Sequence, residues 1–117
     1  MAVALQVESS LIVNGDRDEV HLVEAKGELD MGTCAALRRE LGALVDGTRR
    51  RLLVDLSALE FIDAAGIATL YQATGSFVRM AVVIVPGSRV AQMVQACGLD
   101  QMLPLAAGRA EAVRALA

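Results

Sequence analysis

Few side chains in this sequence could do chemistry: it has one histidine, one tyrosine, no tryptophan and two cysteines. His21 stands inside a stretch with strand character, and no cysteine or second histidine lies close enough in sequence to complete a metal site, so it reads as a strand-surface residue. Cys34 and Cys97 are far apart and fit no metal-ligand spacing. Each falls on the apolar side of a helical pattern, so both are expected to be buried thiols, with a disulfide as the lesser alternative. Gly27, Gly32, Gly42 and Gly47 are too scattered to cradle a phosphate. The carboxylates remain. Glu28, Asp30, Asp55 and Asp63 could be assembled into acid–base pairs, yet acids at strand ends more often cap helices and turns. No nucleophile–base pair emerges. The inventory therefore points away from catalysis, metals and cofactors, and towards a protein that works by binding.

The elements that position these acids follow from composition and periodicity. In 117 residues, 55% are hydrophobic but only 3% aromatic, which calls for a core of Ala, Val, Leu and Ile in close helix-on-sheet packing. That length suits one domain over residues 1–117. No apolar run approaches the ~18 residues of a membrane span, so no direct membrane insertion is expected. The opening MAVALQVESS lacks the basic segment of a signal peptide, and the expected location is cytoplasmic. A net charge of −3 argues against a nucleic-acid partner. Arg38, Arg39, Arg49, Arg50 and Arg51 flank one helix beside Glu40 and Asp46 without interleaved aromatics, the pattern of a solvated rim.

The element order reads β-β-α-β-α-β-α, then a short strand and a final helix. Extended residues 3–13 and 20–29 flank Asn14-Gly15, a strong hairpin turn. Over 33–45, Cys34, Leu37, Leu41, Leu44 and Val45 form one helical stripe, with Asp30 or Thr33 as the cap and Gly47 as a stop. The continuous apolar runs 52–56 and 80–85 predict central parallel strands buried on both faces. Asp63 precedes a helix that opens on small residues, which allows a close approach. Ser88 would cap a third helix presenting Val90, Met93, Val94 and Cys97, ended by Gly98 with Leu99 as its hydrophobic contact. The last helix, 107–116, presents Ala110, Val113 and Leu116.

The segment from Leu52 through Asp63-Ala64-Ala65-Gly66 to Leu70, together with Gly27-Glu28-Leu29-Asp30, resembles the STAS domain family of sulphate transporters and anti-sigma-factor antagonists. The likeness continues through Val85-Pro86-Gly87-Ser88 and Gly98-Leu99-Asp100, so it runs nearly the whole length. It implies an α/β fold: a mixed sheet of four or five strands, an N-terminal β-hairpin and about four packed helices. It also implies a partner, an anti-sigma factor of the serine-kinase-like ATPase type, docked on Glu28, Asp30, Thr33, Asp63, Ala64, Ala65, Gly66 and Ser88. Asp63 is then either a helix cap alone or a direct partner contact. A homodimer is left open. The small STAS subunit of a lipid-transport ABC complex is the alternative role within the same fold.

One departure matters. Stand-alone antagonists of this family usually read Asp-Ser, then Ser or Thr, then Gly, and that first serine accepts phosphate from the partner kinase. The added charge of about −1.5 to −2 then breaks the complex. This chain has Ala64 there, which has no oxygen to accept phosphate. Thr33 and Ser57 are the weak alternatives for modification. Thr69 is expected to be occupied by packing or by bonding back to its helix.

Overall fold

The computed structural model describes residues 4–14, 18–45 and 50–117. Gly15 of the hairpin turn, the helix stop at Gly47 and Arg49 lie outside them. Strand β1 (Gln6–Asn14) pairs antiparallel with β2 (Asp18–Leu29), with Val7 opposite Ala25 and Leu11 opposite His21. This is the expected hairpin. The 12 residues of β2 serve two neighbours in line. Its first half runs parallel to β3 (Arg51–Asp55), and its last residues run parallel to β4 (Leu59–Ile62). Beyond β3 lie β5 (Arg79–Val83) and the two-residue β6 (Leu105–Ala106), giving the order β1-β2-β3-β5-β6 with β4 beside β2.

The two apolar runs are therefore central and parallel, as their lack of alternation predicts, except that β5 ends at Val83 and Val85, the last residue of the second run, is exposed. Leu52 and Val54 face one core, and Leu53 between them faces the other. The first core is closed by α1 (Cys34–Ala43), α2 (Ala64–Ala73) and α3 (Arg89–Ala96) through Leu37, Leu41, Leu70 and Val94. The second is closed by α4 (Arg109–Ala115), which lays Ala112 and Leu116 over Val20, Leu22, Leu53 and Val83. Each fully buried Leu or Val contributes roughly 1.5–3 kcal/mol, so one short run anchors both layers.

Four expectations need correction. The sheet has six strands rather than four or five, because Leu59–Ile62, between the run 52–56 and the helix after Asp63, forms a further strand, β4. Gly27 pairs with Leu59 and Glu28 with Phe61, so Glu60 is an extra residue on β4 opposite the step from Gly27, at φ 108°, to Glu28, and such a bulge breaks simple alternation. The β4 side chains accordingly run buried, exposed, exposed, buried. Cys97 is an exposed free thiol and Met93 is 37% exposed, because the face that α3 buries is formed by Val90, Ala91 and Val94 and these two residues stand beside it; Cys34 is buried and free. Val45 is exposed because α1 stops at Ala43, before the stripe reaches it. On the last helix Ala110 points to solvent, and Ala112, four residues before Leu116, covers the sheet instead.

Candidate partner-binding surface

The parallel register of β2 and β4 brings Leu29 level with Ile62, so two chain reversals occur side by side. The Asp63 N–H donates to the Leu29 carbonyl at 3.2 Å, extending the ladder by one bond into the turns. Asp63 is the cap of α2, as expected: its Oδ1 accepts from the Gly66 N–H at 3.0 Å. Its second oxygen does something the motif does not show. Oδ2 accepts from the Met31 N–H at 3.1 Å, across the gap between the two reversals. Gly66 allows this approach, since a Cβ there would stand 2.7 Å from the Leu29 carbonyl oxygen and 2.8 Å from carbons of Leu29 and Ile62.

The neighbouring turn is stitched from within. Asp30 Oδ1 accepts from the Gly32 N–H at 2.9 Å and the Thr33 N–H at 3.1 Å, while its carbonyl accepts from the Cys34 N–H at 2.8 Å. Asp30 thus organises the turn leading into α1, and Thr33 occupies the cap position without a side-chain cap bond. The Thr33 hydroxyl donates to the Glu28 carbonyl at 2.7 Å and accepts from the Asp30 N–H at 3.0 Å. That half-buried oxygen is already engaged on both sides. Thr69 is buried and donates to the Ala65 carbonyl at 3.0 Å, as expected.

Glu28, Asp30, Thr33, Asp63, Ala64, Ala65 and Gly66 therefore meet at one junction. Ala64, the first residue of α2, is exposed; Ala65 is half-buried against the first core, and Gly66 is buried. Ser88 belongs to a different junction, between β5 and α3, where its Oγ accepts from the Ala91 N–H at 3.1 Å. Ser57 lies in the β3–β4 turn and is exposed. The surface around the two turns also carries exposed apolar side chains. Met31, in the turn after β2, is 79% exposed and Phe61, on β4 two residues before Asp63, 46%, apolar area that no charge pattern announces.

A second polar cluster escaped the sequence reading. Glu24 and Asp55 are cross-strand neighbours on β2 and β3, and Arg109 at the start of α4 bridges them. Its Nε lies 2.7 Å from Asp55 Oδ2, and another guanidinium nitrogen lies 3.0 Å from Glu24 Oε1. The Ser57 N–H donates to Asp55 Oδ1 at 2.9 Å. Burial pushes the Asp55 carboxyl up, but the hydrogen bonds from Ser57 and the Arg109 guanidinium outweigh it and hold the group below its ordinary range. The bond to Asp55 raises Arg109 in turn. The available signal was a pair of acids on adjacent strands, which needs a cation.

Among the described residues, no three His, Cys, Asp or Glu side chains are grouped to hold a metal ion, and no helix is long and apolar enough to cross a membrane. The family model described as "Mlab, STAS domain" matches residues 13–104, which spans both reversals and all of the junction. The chain belongs to the STAS domain family. This STAS domain is 31% identical over 101 residues to the anti-sigma-F factor antagonist RsfB of Mycobacterium tuberculosis, covering 84% of this chain and 82% of RsfB. A crystal structure of an anti-sigma factor antagonist from Mycobacterium paratuberculosis is similar at 28% identity and a TM-score of 0.78, over 95% of this chain and 94% of that one. The Bacillus cell fate determinant SpoIIAA in its phosphorylated form shares the fold, with 17% identity and a TM-score of 0.59 over 92% of this chain and 97% of SpoIIAA.

Proposed function

We propose that this STAS domain is an anti-sigma-factor antagonist, which binds an anti-sigma factor and so frees a sigma factor for transcription. The observation that carries this reading is the 31% identity to RsfB across 84% of the chain. The junction supports it: Met31, Phe61 and Ala64 are each exposed to solvent at or beside a hydrogen-bonded frame, and exposed apolar residues on a rigid frame are what a transient protein partner covers. The partner is an anti-sigma factor of the kinase-like ATPase type, and the complex forms in the cytoplasm. Residues 1–117 act as one binding domain, and no catalytic step, metal or cofactor is assigned to it. Because Ala64 offers no hydroxyl, the antagonist is unswitchable at that position, or is controlled by its abundance. Thr33 and Ser57 are poor substitutes, the first because its hydroxyl is engaged, the second because it precedes Asp63 by a whole strand.

Titration calorimetry with the anti-sigma factor, followed by transcription assays with the anti-sigma–sigma complex, tests the proposal. Binding and restored transcription are expected, and Ala64→Asp should weaken both by placing a charge in the contact. Equal affinity for the aspartate variant would remove Ala64 from the interface. The description of the matched family model favours a second reading, a STAS subunit of a lipid-transport ABC complex. Co-purification with a permease and an ATPase, and no binding to an anti-sigma factor, would establish it instead.

A further inference from the structure

We infer that Asp63 is a positioning residue of the partner surface, one that works by locking the turn after β2 against the start of α2 rather than by touching the partner. This rests on the proposed reading of the junction as a docking surface. The observation behind it is the division of labour between two oxygens of one half-buried carboxylate. Oδ1 serves its own helix through Gly66, and Oδ2 reaches 32 residues back along the chain to the Met31 N–H. A helix cap alone needs only the first bond. The Asp63 N–H bond to the Leu29 carbonyl and the absence of a Cβ at Gly66 hold the two reversals close enough for the second.

The consequence is pre-organisation. Met31 is the most exposed large apolar residue of the described surface, and it stands on a short turn whose other side-chain bonds are made within the turn or back to Glu28 on its own strand β2. Oδ2 is the side-chain acceptor that ties the Met31 backbone to the element carrying Ala64. With the tie in place, the two apolar anchors face a partner as one surface, and the ordering of the turn does not have to be supplied on binding. The two backbone N–H groups fix the orientation of the carboxylate, each oxygen holding one of them.

The two bonds can be separated. In Asp63→Asn the amide oxygen can still cap Gly66, but the other position becomes an NH2 facing the Met31 N–H, donor against donor. Asp63→Ser also keeps a good cap and is too short to reach Met31. Amide hydrogen exchange on the free, full-length chain should show the Met31 N–H exchanging roughly 10-fold faster in both variants while Gly66 stays protected. Unchanged Met31 exchange, or loss at Gly66 in step with Met31, would overturn the lock. Affinity for the anti-sigma factor should fall roughly 10-fold in Asp63→Asn, and by clearly less when Met31→Ala is already present. Equal losses in both backgrounds would mean that Asp63 contacts the partner directly, and unchanged affinity would mean that the lock does not serve binding. Should the wild-type chain bind no anti-sigma factor, the proposed function falls, while the exchange measurement still judges the lock.

Discussion

Asp63 and Asp55 are both carboxylates at strand ends, and they hold this molecule together in different ways. Asp63 bonds only backbone N–H groups, three residues ahead and 32 residues behind. Asp55 bonds one nearby N–H and then a guanidinium 54 residues away, which ties α4 to the sheet. The first ties two chain reversals into one junction; the second closes the opposite face of the domain. A carboxylate capping its own helix is written in local sequence, whereas one paired to a distant side chain depends on a topology that brings them together. The two regions should therefore fail independently.

The largest effect is expected at the Asp63 junction from Gly66→Ala. The new Cβ would meet backbone oxygen as well as side-chain carbon inside 3 Å, and the Leu29 carbonyl cannot move without breaking its bond to Asp63. Overpacking of this kind costs about 3 kcal/mol, which urea unfolding measures directly. A variant within about 0.5 kcal/mol of wild type would show that the junction is looser than its distances imply.

Arg109→Met is the matching change on the other side. It keeps the apolar stem and leaves Asp55 with Ser57 as its remaining partner. Because the guanidinium is 45% exposed, the expected loss is discounted for solvent to about 1–2 kcal/mol. Faster amide exchange should appear in α4 while affinity for the anti-sigma factor stays at the wild-type value. A fall in affinity would break the comparison by showing that the two faces are coupled.

The pH response should separate the carboxylates further. The folded Asp55 group titrates below its unfolded value because its hydrogen bonds and Arg109 outweigh burial, so the unfolded chain takes up its proton first as acid is added. Its stabilisation is complete above the unfolded value of about 3.9 and is lost as pH falls through the lower folded value. Urea unfolding of wild type and Asp55→Asn should thus differ by a constant amount from about pH 8 to pH 5 and converge in stronger acid. A gap that persists unchanged to the lowest pH at which the protein stays folded would assign the stabilisation to something other than the charge.

What could be read from sequence follows the same division. The central strands, the caps at Asp63 and Ser88 and the glycine end of α3 were legible because each is a pattern of a few adjacent residues with one favoured geometry. Strand β4 was not, since four residues whose exposure does not alternate carry no period, and the alternation is broken by Glu60, an extra residue whose place depends on the pairing with β2. The Asp63 bond to Met31 and the Arg109 bridge were invisible for one reason: each needs the parallel register that places β2 beside β3 and β4. Val45 was misplaced by extending a helical stripe past the true end of α1, and Cys97 by centring the buried face of α3 on Met93 and Val94 when it is formed by Val90, Ala91 and Val94. The apolar patch of Met31 and Phe61 went unseen because single hydrophobic residues in turns look the same whether they are covered or bare.

The smallest effect on stability should come from Ala64→Ser, which also sharpens the functional side of the comparison most. Ala64 is exposed at the first position of α2, where an added hydroxyl meets solvent and the helix start, so the change should stay within about 0.5 kcal/mol of wild type. Its chemical consequence is larger than its energetic one. The family pattern places the phosphate acceptor at this position, and the cap at Asp63, the bond to Met31 and the space at Gly66 that present it are all in place here. Incubated with the kinase-like anti-sigma factor and ATP, the serine variant should gain one phosphate at residue 64 by mass spectrometry, and the modified form should lose affinity for that partner. The helix N-terminus tolerates the added anion, so unfolding of the phosphorylated variant should shift little even as binding fails. Stoichiometric phosphate on the wild-type chain would contradict this account, because it would mean that another hydroxyl had taken over the switch.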